Sequence, residues 1–172
     1  MALSMYDAAI PTLLQALGNA SGFLDKASLH CEKEKIDPNA LLSARLYPDM
    51  FALTRQIQIL SDQAKGAAAR LAGVEAPKFA DTEASFADLK TRLDKTVTFL
   101  KSVESGRYQG AEDRAIEIKF PQITLSFPNG WNYLLTFVFP NVYFHSATAY
   151  DILRHNGVKL GKPDFTGAAG RP

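Results

Sequence analysis

A single histidine, His145, lies in the most apolar stretch of the chain, between Trp131 and His155. At helical spacing it shares a face with a row of apolar residues, where a core side chain would normally lie. An imidazole can bind a metal, act as a general base or accept a hydrogen bond at neutral pH. His145 is therefore the first candidate for chemistry, although one histidine does not define a reaction. The apolar row consists of Leu135, Val138, Val142, Ala149 and Ile152.

Three polar side chains accompany His145 on the same predicted helix, namely Tyr143, Tyr150 and Arg154. Arg154 and a tyrosine hydroxyl could hold a small anionic or carbonyl ligand. Alternatively, Arg154 and His155 only complement the helix dipole at its carbonyl end. We assign that structural role to His155 and leave Arg154 open.

A second polar group lies on another predicted helix, where Asp62 shares a face with Arg55, Gln58 and Lys65. Spacings of three and four allow these side chains to satisfy one another as a surface network. Because the small residues 66–69 lie beside them, the same row could line a polar pocket or a dimer contact. Gln58 and Asp62 are therefore kept as candidate ligand-binding residues.

Several familiar kinds of catalytic site are missing from the sequence. No nucleophile elbow, P-loop, dinucleotide fingerprint or HExxH motif is present. Cys31 is the only cysteine, which excludes an internal disulfide and a cysteine-based metal site and is typical of a reducing cytoplasm. His30 precedes it directly, but consecutive helical residues point about 100° apart and do not form a catalytic dyad.

Composition predicts a single ordinary globular domain. The chain has 172 residues, of which 47% are apolar and 22% charged, and its formal net charge is +1. Nucleic acid and acidic membrane surfaces are therefore not expected partners. The most apolar window, residues 131–144, is shorter than the roughly 20 residues that a membrane-spanning helix needs. The N-terminal residues do not resemble a signal peptide, so we expect a cytoplasmic protein.

Apolar residues at spacings of three and four predict four amphipathic helices. Capping residues, helix-terminating glycines and prolines set their limits, and Pro140 is expected to bend the last helix. The predicted helices run from Ser4 to Lys35, from Pro48 to Leu71, from Asp81 to Gly106 and from Trp131 to Asn156.

Between the third and fourth helices, residues 116–127 alternate with a period of two, which predicts a short hairpin that turns at Pro121 and Gln122. Amphipathic helices with short connections bury their apolar faces by packing together. We therefore predict an all-α, antiparallel four-helix bundle with a β-hairpin between helices three and four. Residues 1–160 are expected to form one domain, and residues 161–172, rich in Gly and Pro, a loose tail.

This order of elements, with the segments LSMYDAAIP, LYPDMFALTRQIQILSDQAKGAAARLAG and YFHSATAYDILRHNGVKLGKPDF, resembles an uncharacterised domain-of-unknown-function family. That family lies within the DinB-like superfamily of four-helix bundles, and the resemblance spans nearly the whole chain. It implies a divalent metal held by one histidine of the second helix and an HxxxH pair of the fourth. It also implies metal-dependent thiol transferase or hydrolase activity in some members.

The metal motif does not carry over to this sequence. His145 matches the first histidine of the HxxxH pair, but the residue four positions later is Ala149, which offers no ligand atom. The second predicted helix contains no histidine. At most, His145 could join Asp62 or Gln58 in a mixed site that is weak for zinc or nickel. No cofactor is therefore expected, and Zn or Ni remains the alternative.

Three interpretations follow from these residues. The first is a small-ligand-binding or structural homodimer without the three-histidine site, in which His145 is a hydrogen-bonded core residue. The second is a divalent-metal-dependent transferase or hydrolase with a degenerate site around His145. The third is a partner-binding module, which requires residues 66–69 to form an exposed apolar patch.

Overall fold

The computed structural model describes residues 3–167, which are mostly helical and include one small antiparallel sheet. The chain also contains a 3₁₀ turn at Ser105–Tyr108 and a π-helical turn at Leu134–Val138. The helices are α1 (Met5–Glu34), α2 (Pro38–Leu42), α3 (Leu53–Ala72), α4 (Phe86–Ser102), α5 (Gly130–Tyr133), α6 (Phe139–His155) and α7 (Lys162–Thr166), and the strands are β1 (Ile116–Lys119) and β2 (Thr124–Phe127).

The first helix forms as its sequence predicts. The Ser4 side chain accepts a hydrogen bond from the backbone N–H of Asp7 at 3.1 Å, which caps α1. The helix ends at Lys35, whose φ of 56° places it in the left-handed region. The apolar stripe of α1 is buried against α4 and α6, so this helix contributes a full side of the core.

Two pairs of long helices are antiparallel, namely α3 with α6 and α1 with α4. Gln56, near the start of α3, contacts His145, and Arg70, near its end, contacts Tyr133 at the start of the α5–α6 segment, so α3 and α6 are antiparallel. Lys90, at the start of α4, pairs with Asp25, in the second half of α1, so α1 and α4 are antiparallel as well.

The third and fourth helices run in the same direction. Val74, just after α3, and Val103, just after α4, line one cleft at the same end of the molecule. The expectation of antiparallel neighbours is therefore wrong for this pair. The chain between them, residues 73–85, can extend over roughly 40 Å, which is enough to return along a 20-residue helix of about 30 Å.

Two predicted helix starts are wrong. The second long helix begins at Leu53 and not at Pro48, because residues 47–50 form a turn closed by the Met50 N–H and the Tyr47 carbonyl. The third begins after Ser85, whose hydroxyl accepts from the Asp88 N–H. Asp81, the predicted cap, instead pairs with basic side chains of α3 and α4.

The last long helix contains a π-helical turn at residues 134–138, before the expected bend at Pro140. Because a π turn holds more residues than an α turn, it rotates the side chains that precede it relative to those that follow. Leu134 is consequently buried, whereas Leu135 is 55% exposed. The assignment of Leu135 to the buried row is wrong for this reason, and the rest of that row is buried.

The predicted hairpin is confirmed. β1 and β2 pair antiparallel, with Ile116 opposite Phe127 and Lys119 opposite Thr124. Ile116 and Ile118 face the core, while Glu117 and Lys119 are exposed. The alternation of apolar and polar residues therefore predicted both the strands and their buried face.

The chain after residue 160 does not form a loose tail where it is described. Residues 162–166 form α7, which packs on α1. The side chains of Gln15 and Asn19 donate to the carbonyls of Thr166 and Phe165, and Lys26 pairs with Asp164 at 2.6 Å. A sequence rich in Gly and Pro gave no indication of these long-range contacts, and residues 168–172 lie outside the described part.

The small residues of α3 are buried within the chain itself. Ala67, Ala68 and Ala69 are at most 2% exposed, and Gly66 is also buried. A stripe of small side chains lets neighbouring helices approach closely. The interpretation that residues 66–69 form an exposed partner-binding patch is therefore wrong. Across residues 3–167, no helix has the length and hydropathy needed to cross a lipid bilayer.

Candidate functional site

His145 lies at the contact between α6 and α3 and is 8% exposed. Its Nδ1 is 2.7 Å from Oε1 of Gln56. The amide of Gln56 in turn donates from Nε2 to the carbonyl of Phe51 at 3.0 Å. The Phe144 ring stands edge-on to the imidazole, with 5.2 Å between ring centroids. The histidine is thus a packed, hydrogen-bonded residue, as the core interpretation requires.

This hydrogen-bond chain fixes the roles of the two ring nitrogens. Because the Gln56 amide donates to a carbonyl, its oxygen faces His145 and must accept, so Nδ1 carries the proton. In a neutral ring, Nε2 then holds a free lone pair. Nε2 makes no hydrogen bond within residues 3–167 and is the one atom of His145 available to a further partner.

Burial lowers the pKa of His145, and the positive charge of Arg55 lowers it further. Both effects disfavour the imidazolium, since a buried charge loses hydration and a nearby cation repels it. His145 is therefore held neutral near pH 7. A neutral ring can accept a hydrogen bond at Nε2 but cannot donate from that atom.

The donors around His145 do not fit the metal site that the resemblance implies. Within residues 3–167, no three side chains of the types His, Cys, Asp or Glu converge at a spacing that could hold a metal ion. The α3 residue in contact with the imidazole is Gln56, and Ala149 occupies the next turn of α6. A single imidazole with an amide is a poor ligand set for zinc or nickel.

The tyrosines proposed beside His145 face a different part of the molecule. Tyr150 packs edge-on against Phe23 of α1 and Phe165 of α7, at 5.7 and 5.9 Å between centroids. Tyr143, which is 46% exposed, lines a cavity of about 210 Å³ between α1, α6 and α7. Tyr143 lies two residues before His145, and Tyr150 lies five residues after it. Because each helical residue turns about 100°, both side chains point away from α3.

Arg154 is exposed in the last turn of α6. This position agrees with a role in complementing the negative end of the helix dipole. The predicted ligand set of His145, Tyr143, Tyr150 and Arg154 is therefore not brought together by the fold.

Gln58 and Asp62 belong to a separate charged cluster between α3, α4 and the loop before α4. At its centre is Arg92, which is 2% exposed and lies 2.7 Å from Asp62, 3.0 Å from Asp81 and 2.8 Å from Glu83. Gln58 donates to Glu83 at 2.8 Å. The network expected from α3 alone thus also recruits partners from α4 and its preceding loop.

The charges in this cluster compensate one another. Burial opposes the charge of Arg92, but Glu83 and Asp62 outweigh it and raise the arginine pKa. Burial likewise opposes ionisation of Glu83, yet hydrogen bonds from Arg92 and Gln58 lower its pKa. With Arg55 on Asp81 and Lys65 on Asp62, three cations face three carboxylates. The cluster is therefore electrically compensated, and it joins α3, α4 and the loop before α4.

Cys31 has no catalytic environment. It is buried, and its pKa is raised by burial and by the charge of Asp37. A thiol becomes nucleophilic when its pKa falls, so this thiol is inert near neutral pH. The Nε2 atom of the adjacent His30 is buried near Gly157, which follows the end of α6. The sequence-based exclusion of a dyad agrees with this arrangement.

Sequence reasoning missed the two residues that organise these sites. Gln56 falls between Leu53 and Ile57 on the buried side of α3, and a polar residue there signals a partner in the core. Arg92 likewise falls between Leu89 and Leu93 on the apolar side of α4. Both signals are visible in the sequence, but neither identifies the partner side chain.

Comparison with known proteins gives one consistent answer. The family model described as Domain of unknown function (DUF1993) matches residues 5–166. A crystal structure of a DinB family member protein from Shewanella denitrificans, at 1.83 Å resolution, is 37% identical. That match covers 97% of this chain and 94% of the other, with a TM-score of 0.88. None of the curated proteins matches the chain.

Proposed function

The chain belongs to the DUF1993 family of DinB-like proteins, and we propose that it is a metal-independent structural homodimer. Its helical fold fits a DinB-like protein, with α3 and α4 parallel. In this proposal the His145–Gln56 contact holds α6 on α3, and the opposite, exposed side of α6 meets a second copy.

The observation that carries the proposal is the apolar exposed side of the α5–α6 segment. Leu135 is 55% exposed, Tyr143 46% and Phe144 55%, and the half-buried Phe139 packs on Tyr143. We call these four residues the α6 surface. Exposed apolar groups on one element are typical of protein–protein contacts.

A second copy suits this surface because it carries no charge. The segment from Gly130 to Tyr150 contains no Asp, Glu, Lys or Arg. In a two-fold symmetric contact each residue faces the same patch of its partner, so a charged patch would oppose like charges. An uncharged, aromatic surface avoids that repulsion and resembles the core of homodimer interfaces.

Sedimentation equilibrium tests the homodimer. The parent is expected to dimerise, and Phe144→Ser to raise the dissociation constant at least about tenfold, as loss of a buried aromatic anchor does. Leu29→Ser is the matched control, because Leu29 is 63% exposed on α1, away from the α6 surface. A monomeric parent, or equal effects of the two substitutions, would contradict the proposal.

Small-ligand binding at His145 is the second candidate, and the free lone pair of Nε2 favours it. The ligand would be a neutral O–H or N–H donor, since a neutral imidazole accepts at that atom. Phenol is a suitable probe, because it joins one O–H donor to an apolar ring. Binding there should shift the ¹⁵N resonance of His145 Nε2, whereas an unchanged resonance at millimolar phenol argues against this candidate.

The proposal excludes the metal-dependent transferase or hydrolase that the resemblance implied, because the donors around His145 do not fit a zinc or nickel site. Location in the cytoplasm and the absence of nucleic-acid or membrane partners remain predictions from composition.

A further inference from the structure

A second site is suggested at the start of α1, far along the bundle from His145. Here the first turn of α1, the 3₁₀ turn at residues 105–108 and Trp131 surround an open cleft of about 830 Å³. Tyr6 and Tyr108 form part of its wall, with their rings edge-to-face at 5.3 Å between centroids. Trp131 adds a third aromatic ring.

Tyr108 lines this cleft and carries a buried hydroxyl without a partner among the described residues. The residue is only 2% exposed, and its Oη has no hydrogen-bond partner within residues 3–167. Buried hydroxyls are almost always hydrogen-bonded, so an unpartnered hydroxyl on a residue that lines a cleft calls for a partner. Burial raises the pKa of Tyr108, and the neighbouring Tyr6 raises it further, so the hydroxyl stays neutral.

The charge of the cleft selects a cation. Among its described lining residues are the carboxylates of Asp7 and Glu112, and none is basic. Neither carboxylate forms an ion pair within residues 3–167. The helix N-terminus would favour an anion, but Ser4 already accepts from the backbone there, and Asp7 supplies the negative charge.

We propose that this cleft binds a small organic ammonium ion with an apolar body. The aromatic rings hold the body and attract the cation through their faces, as in aromatic cages for ammonium ligands. The N–H groups of the ligand donate to the Tyr108 hydroxyl and to the carboxylates of Asp7 and Glu112. This site is independent of the proposed homodimer and of His145.

Three isosteric probes test the charge requirement by calorimetric titration of the full chain. They are 2-phenylethylammonium, 2-phenylethanol and phenylacetate, which share a ring but carry a positive, zero or negative charge. The ammonium ion is expected to bind at least about tenfold more tightly than the alcohol, and phenylacetate more weakly still. Equal binding of ammonium and alcohol would overturn the proposal.

Substitutions then locate the binding. Tyr108→Phe keeps the ring and should weaken ammonium binding about tenfold, and Glu112→Gln should weaken it severalfold. The matched controls are Tyr47→Phe and Glu117→Gln, which alter an exposed tyrosine and an exposed carboxylate elsewhere. If neither Tyr108→Phe nor Glu112→Gln changes the affinity, the proposal is wrong.

Thermal unfolding shows whether Tyr108→Phe still folds. Tyr108→Phe removes a hydroxyl without a partner, so the variant is expected to unfold at or above the parent temperature. If it fails to fold, Glu112→Gln alone decides the outcome, because Glu112 is half-buried and forms no ion pair among the described residues.

Discussion

His145 shows how its hydrogen-bond partner decides what a histidine can do. The side-chain oxygen of Gln56 holds Nδ1 as a donor, and burial lowers the imidazole pKa. This orientation resembles the way metal-ligating histidines are held by an outer partner. Here, however, Ala149 and Gln56 stand where further ligands would be needed, so the same geometry supports packing of α6 on α3.

The neutral state of His145 predicts a specific dependence of stability on pH. Because its pKa in the folded chain is below the ordinary 6.5, the unfolded chain binds the proton more readily. Its contribution to stability is present above pH 6.5 and is lost as the pH falls towards the folded pKa. The loss is at most about 1.4 kcal/mol for each pH unit.

Urea unfolding at pH 7.5 and 5.5 measures this effect. In His145→Asn, the amide can still donate to Gln56 but does not titrate, so the variant should lose less stability on acidification than the parent. His155→Asn, which alters an exposed histidine, should behave like the parent. The same acid sensitivity in His145→Asn and the parent would show that another group is responsible.

Arg92 is expected to be the most sensitive charged residue of the chain. Its removal leaves Asp62, Asp81 and Glu83 without their shared partner, and breaking a buried ion pair on one side costs about 3–5 kcal/mol. We therefore expect Arg92→Met to lower the free energy of unfolding by about that amount.

Lys65→Met is the control for this prediction, because Lys65 pairs with the same Asp62 at 2.7 Å but leaves Arg92 in place. Its expected cost is smaller than that of Arg92→Met, because Asp62 is 37% exposed and keeps its pair with Arg92. Chemical denaturation of both variants at pH 7 makes the comparison. Equal losses would contradict the view that Arg92 holds the cluster together.

Among the single elements, the α5–α6 segment is shaped by the close approach at Gly130 and by the π turn at residues 134–138. A Cβ on Gly130 would lie 2.1 Å from the carbonyl oxygen of Ala111, which is backbone and cannot swing away. The glycine therefore lets the loop before β1 pack directly on the start of α5.

Gly130→Ala is expected to destabilise the fold by roughly 1–3 kcal/mol, because the backbone must move to relieve the overlap. Gly18 is the matched control, since it lies exposed in α1, where an added Cβ would have nothing within 4 Å. Gly18→Ala should stabilise by about 0.5–1 kcal/mol through helix propensity. Thermal unfolding distinguishes the two, and a neutral Gly130→Ala would contradict the close approach.

Local sequence patterns predicted which helices and strands form better than they predicted the residues at which these elements begin and end. The apolar rows of α1, α3 and α4 are largely buried, as expected. The alternation in β1 buries Ile116 and Ile118, whereas the apolar side of β2 is only half-buried. Leu135 was misplaced because a π turn has no clear signature in hydrophobic spacing. α7 was missed because its stability comes from contacts with Gln15, Asn19 and Lys26, which are distant in sequence.

In the whole molecule, the order of the four long helices was predictable but their directions were not. Nothing in residues 73–85 distinguishes a loop that turns back from one that runs the length of a helix. The parallel arrangement of α3 and α4 places Arg92 against Asp62 and leaves α6 to cover the other side of α3. Candidate site residues chosen by helix position were consequently divided among separate surfaces.

The same arrangement separates three surfaces with different chemistry. The α6 surface is apolar and uncharged, the Arg92 cluster is charged but compensated, and the cleft at the start of α1 is aromatic and acidic. We expect self-association at the first, stability from the second and ligand binding at the third.

Metal content tests whether His145 packs α6 on α3 without binding a metal. Protein prepared without a histidine tag or chelator, then dialysed against zinc or nickel and against buffer, is analysed for bound metal beside His145→Ala. We expect far less than one equivalent of either metal in both proteins, because no group of metal-binding side chains surrounds His145 among residues 3–167. One equivalent in the parent that disappears in His145→Ala would show instead that His145 is a metal ligand.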